Sequence, residues 1–162
     1  MNRITHRLEV LLTAVMVAVG LCAASALVSA GQRTAKGENF AQKLVQKTLA
    51  KHPEADEIGI AVRSVRVCKT IASTDRGDIG EACEKEDSEP MRTGKPYVEK
   101  EKDGYDVSVA LHDATGKLVG SAGIGFKLAA GQTEASQIER ARKIAREMEA
   151  QIPSRARLFA RE

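Results

Sequence analysis

The chain has 162 residues, with 25 Lys and Arg against 22 Asp and Glu, a net charge of +3. Charges of both signs are interspersed, so there is no basic footprint for nucleic acid. Two Tyr, three Phe and no Trp leave few platforms on which bases or sugars could stack.

Residues 1–30 read as a secretory signal peptide. Arg3 and Arg7 supply the basic start, an uncharged run of Leu, Val and Ala extends over residues 10–30, and Val28-Ser29-Ala30 supplies small side chains for cleavage after Ala30. An uncleaved N-terminal membrane anchor is the alternative, because the run approaches the roughly 20 residues that span a bilayer. The Ala/Ser-rich second half and the lack of a Lys/Arg cluster just after it favour cleavage. A lipoprotein at Cys22 would want a small residue where Leu21 stands. The expected location is periplasmic or secreted. The mature chain divides into a flexible leader (31–37), one domain (38–152) and a basic tail (153–162).

Cys68 and Cys83 are the cysteines left after cleavage. In an oxidising compartment this pair suggests a disulfide, the alternative being one buried and one exposed thiol. Neither C-x-x-C nor C-x-x-C-H occurs, so no redox or haem cofactor is expected.

A helix is predicted over residues 38–51, with Phe40, Leu44, Val45 and Leu49 at helical spacing and Pro53 ending it. The period then changes to two. Ile58, Ile60 and Val62 alternate with Gly59, Ala61 and Arg63, which marks a half-buried strand. A second strand runs over 67–72. Residues 74–96 hold Gly, Pro and seven acidic side chains and read as a long loop with one helical turn. A short strand at 97–100 precedes a hairpin, 105–111 and 118–126, around the turn 112–117. The last element is a helix over 133–151. Its stripe of Ala135, Ile138, Ala141, Ala145, Met148 and Ile152 recurs every three or four residues, and Pro153 ends it. This order gives an α+β fold, an antiparallel sheet of about five strands with the N- and C-terminal helices packed on one face.

Strand parity separates two unlike faces. One collects Ile58, Ile60, Val62, Tyr105, Val107, Val109, Leu111, Ile124 and Phe126 and wants the helices. The other collects Gly59, Ala61, Arg63, Ser108, Ala110, Ser121, Gly123 and Gly125, with Lys127 at its edge. Small side chains there leave space for a ligand under the 74–96 segment. The alternative is that they let that segment pack closely. Arg63, Ser108, Ser121 and Lys127 are the candidate ligand contacts, with Tyr97 and Tyr105 as further walls. Their cations favour a carboxylate or amino acid.

The pattern resembles a single Cache domain, the PAS-like extracytoplasmic sensor module of bacteria. The residues that carry the resemblance are Lys51-His52-Pro53, Thr70-Ile71-Ala72-Ser73, Ile79-Gly80 and Arg92-Thr93-Gly94-Lys95-Pro96. Val107 to Asp113 and Gly116-Lys117-Leu118-Val119-Gly120 complete them. The resemblance implies a five-stranded antiparallel sheet whose middle segment cups a small metabolite. It also implies a place between two membrane helices, whereas this sequence shows no second apolar span or output domain after the last helix.

No catalytic constellation stands out. Gly120-Ser121-Ala122-Gly123-Ile124-Gly125 lacks the order of a phosphate loop and lies inside a strand. His112-Asp113 with Ser108 has no nucleophile elbow around it. With two histidines after cleavage and no calcium-loop spacing in residues 84–89, no metal site is expected. The sequence therefore reads as a metabolite-binding, sensor-type module rather than an enzyme. The alternative is an interaction subunit that docks through its C-terminal helix or a sheet edge, as a homodimer or on a membrane-signalling partner.

Overall fold

A computed structural model describes residues 37–161. The leader reading of 1–30 and residues 31–36 lie outside the described residues. The elements run α1 (Phe40–Leu49), β1 (Glu57–Arg63), β2 (Cys68–Ser73), α2 (Lys85–Thr93), β3 (Tyr97–Lys100), β4 (Gly104–His112), β5 (Leu118–Lys127), α3 (Glu134–Glu149) and α4 (Arg155–Leu158).

The five strands form one antiparallel sheet in the order β2-β1-β5-β4-β3. The β4–β5 hairpin closes where Asp113 Oδ1 accepts hydrogen bonds from the backbone of Thr115 and Lys117 and from the Thr115 hydroxyl. Gly116 supplies the left-handed residue this turn needs, at φ 83°. Cross-strand pairing stacks Ile58 beside Ile124 and Val107, and Ile60 beside Ala122 and Val109, so the apolar face is continuous.

Both long helices cover that face. α1 starts at Asn39, whose side chain caps the Gln42 N–H at 2.8 Å. α3 starts with a reciprocal Thr133–Ser136 cap. Ala41, Leu44 and Val45 of α1 and Ala141, Ile144, Ala145 and Met148 of α3 join the sheet side chains in one core. The stripe of the C-terminal helix is thus used inside the domain, and its buried members are closed to a partner. The tail folds back as well. Leu158 is fully buried, and the Phe40 N–H donates to the Ala160 carbonyl at 2.8 Å.

One expectation changes. The 74–96 segment contains a nine-residue helix, α2, where one turn was anticipated. Pro90 suggests a break, but its ring sits late in a short helix, and Gly94 at φ 71° ends it in the usual left-handed manner. α2 packs against β3, β4 and β5 on the small-residue face, while the N- and C-terminal helices α1 and α3 share the other face as expected.

Two further ties hold the 74–96 segment. Cys68 and Cys83 are disulfide-bonded, with Cα atoms 5.2 Å apart. Residues 80–83 run along the outer side of β2, where Thr70 and Cys83 N–H groups donate to Glu81 and Cys68 carbonyls. On the inner side, the Gln42 amide of α1 bonds both backbone groups of Ser73.

Candidate functional site

The small-residue face of the sheet forms the floor of a cleft of about 230 Å³, roofed by the disulfide-tied 74–96 segment. Its floor is Gly59, Ala61, Ser108, Gly123 and Gly125, with Gly59, Gly123 and Ser108 paired side by side on β1, β5 and β4. The missing side chains make the space. A Cβ on Gly123 would lie 3.5 Å from Ser108 Oγ, an ordinary contact, so the backbone is not what demands glycine there. Ser108 is 5% exposed, and its hydroxyl has no partner among the described residues.

The walls are acidic. Glu57, Asp78, Asp87 and Asp106 border the cleft together with Glu81, Glu84 and Glu86, and among the described residues no Lys, Arg or His does. Ser73 donates toward both Glu57 (3.3 Å) and Asp78 (3.0 Å), so the two carboxyl groups share one hydroxyl. Glu57 is exposed as a residue, but partial desolvation at the cleft wall, then the hydrogen-bonded Asp78 carboxyl and the nearby Asp106, push its carboxyl up to about 7. Partial desolvation at the cleft wall, with the charges of Glu101, Asp56, Glu86 and Glu99 behind it, raises Asp106 as well, although the residue as a whole is exposed. Burial raises Asp87 against the Glu84 N–H that lowers it.

These shifts make stability depend on pH. A carboxyl raised in the folded state costs nothing below its unfolded value and destabilises increasingly as pH rises through its folded value. From pH 4.5 to about 7 the Glu57 contribution therefore falls. Water on its exposed side screens the effect to about 1–2 kcal/mol. We expect Glu57→Gln to melt with the wild type near pH 4.5 and above it at pH 8, by circular dichroism. Equal melting at both pH values would remove the argument. His52 adds a fall of the same sign in both proteins. It is buried, which opposes its charge, but it bonds Glu54 at 2.9 Å and Glu147 at 3.0 Å, and these carboxylates raise it overall.

Of the six candidate contacts, Ser108 lines the cleft. Arg63 does not. It stands two residues beyond the last β1–β5 pair and borders a separate groove with Met91, Leu118 and Arg155, so α2 lies between it and the cleft. Ser121 shares the floor's face but is fully buried without bordering the cleft, because α2 lies across β4 and β5 there. Lys127, at the far end of β5, borders an outer groove with Gly104, Leu128 and Asp56. Tyr97 pairs with Ser108 yet stays outside, under the Lys85 ammonium 5.5 Å from its ring. Tyr105 belongs to the opposite, core face. The His112-Asp113-Ser108 grouping also dissolves. His112 bonds Glu149 at 2.9 Å, Asp113 holds the turn, and neither borders the cleft.

The acidic walls were missed although part of the signal was present. Glu57 has the parity of Gly59, and Asp106 that of Ser108, one residue pair further along the same strands. Asp78 and Asp87 reach the cleft through the path of the 74–96 segment, which no periodicity encodes.

No family model and no curated protein sequence matches the chain. Solved structures do. The repressor BlcR of Agobacterium tumefaciens is 12% identical over 71% of this chain and 68% of its own, with a TM-score of 0.54. The GAF domain of A. aeolicus nlh2, in an inactive state, is 13% identical over 70% and 82%, with a TM-score of 0.53. The likeness is one of fold. The α+β plan of the described residues, a five-stranded antiparallel sheet with helices, is similar to that of this GAF domain.

Proposed function

We propose that this domain is an extracytoplasmic, Cache-like sensor module that binds a small metabolite in the cleft and does no chemistry of its own. One observation carries the reading. A nearly buried serine hydroxyl without a partner among the described residues faces a glycine-floored space that a cross-linked segment covers. Sites of this kind combine a preformed hollow with a few polar groups. The space is smaller than the roughly 300–1,000 Å³ that holds drug-sized ligands, which suits a metabolite. Support for the location comes from the leader-like residues 1–30 and from the Cys68–Cys83 bridge, since disulfides persist in oxidising compartments. The likeness in fold to a repressor and to a GAF domain supports a ligand-sensing role by analogy of architecture.

The test is a thermal-shift screen of a metabolite library on wild-type protein and on Gly123→Leu. The first atom of the new side chain is tolerated, while the rest fills the cleft. We expect the variant to stay folded and to lose the stabilisation that a hit gives the wild type. A hit that stabilises both equally would place binding elsewhere and overturn the reading.

A further inference from the structure

We propose that the metabolite is a small organic cation, an aliphatic amine whose ammonium group is held by Glu57, Asp78 and Asp106 and whose chain lies over Gly59 and Gly123. This inference rests on the cleft being a binding site. It replaces the anionic ligand that Arg63 and Lys127 had suggested, because both cations stand outside the cleft and every charged residue described along its border is acidic.

Like charges gathered on one concavity destabilise the empty protein, and a fold does not need them there for its core. Glu57 and Asp106 sit on strands that flank β5, both paired with Gly125, so the sheet register itself places them together. Asp78 reaches the same point from the roof, through the hydroxyl it shares with Glu57. A cation between them removes the repulsion and replaces it with charge-assisted hydrogen bonds. Among the described residues no three carboxylates, histidines or cysteines stand close enough to share a metal ion, whereas an ammonium reaches three carboxylates through longer N–H···O bonds. The negative charge is spread along the cleft, which matches an extended ligand with several N–H donors better than a point ion. Ser108 supplies an acceptor deeper in the floor, and the glycines leave room beside it for a short chain.

The experiment is isothermal titration of the protein with putrescine, a linear diammonium. Butanediol serves as its neutral counterpart, succinate as its anionic one, and calcium chloride as the simple cation. Putrescine is expected to bind and the other three not to. Asp106→Asn and Glu57→Gln should each weaken it by about tenfold or more, the worth of one charge-assisted bond. Both variants relieve repulsion and should fold. Ser108→Ala, a smaller change, provides an independent loss of affinity. Binding of putrescine that survives all three substitutions would be surface attraction and would overturn the inference. So would tighter binding of butanediol, succinate or calcium. If one of those is abolished by Gly123→Leu, the cleft remains a binding site and only the cation is wrong. No heat with any probe, and no library hit that Gly123→Leu removes, would sink both readings together.

Discussion

Replacing Cys68 and Cys83 together by Ala should lower the melting temperature by about 10 °C. The bridge closes a loop with a sequence separation of 15, which contributes roughly 3 kcal/mol by restricting the unfolded chain. For a domain of this size each kcal/mol moves the midpoint by about 3–5 °C. The effect should reach the cleft as well. Without the bridge, the roof is held on β2 only by hydrogen bonds, those of residues 80–83 and those of the Ser73 hydroxyl with Asp75 and Asp78, and any ligand-induced stabilisation should fall with it. Scanning calorimetry of the oxidised, reduced and double-Ala proteins gives the result. A reduced protein that melts with the oxidised one would show that the pair contributes nothing.

Gly120→Ala is expected to be nearly as severe, through a different cause. A Cβ at this position would stand 2.3 Å from the Ala61 carbonyl oxygen and 3.2 Å from a Val62 methyl. The neighbour at the shorter distance is backbone, in the strand that pairs with β5, and cannot swing aside. Strands β1 and β5 must separate at this approach, at a cost of about 3 kcal/mol, the upper range for overpacking. Gly123→Ala, three residues along the same strand, meets only a side-chain oxygen at 3.5 Å and should be close to neutral. Chemical denaturation of the two variants side by side decides the matter. Equal stabilities would mean that the β1–β5 approach is not what requires glycine at 120.

The contrast between these two glycines shows what the sequence could convey. Alternation along 58–62, 105–111 and 118–126 located three strands and assigned their faces, because a strand with one buried face repeats every two residues. The spacing of Leu44, Val45, Met148 and Ile152 located the helices for the same reason. The floor of the cleft was legible too, since Gly59, Ser108 and Gly123 share one parity. The charge of its walls was not. Arg63 keeps the right parity but overruns the strand that would have held it beside the floor. Asp78 and Asp87 arrive on a segment whose course is set by the Cys68–Cys83 bond, by backbone pairing of residues 80–83 and by helix α2. Its composition of Gly, Pro and acids spoke for a loop, and the capping pair Glu84 and Asp87 was the one local sign of a helix start.

The backbone run along the outer side of β2 has a consequence for colloidal behaviour. A sheet with a bare outermost strand invites another chain to add to it, and repeated additions lead to fibrils. Here one outermost strand is already satisfied by residues 80–83, fastened by a covalent bond. The other, β3, is four residues long and ends in Glu99 and Lys100, too short and too charged to template a growing stack. Reduction would therefore do more than loosen the roof. It would unfasten the cover of β2 and expose a ladder of unpaired amides, so the reduced protein should form thioflavin-positive aggregates sooner than the oxidised one.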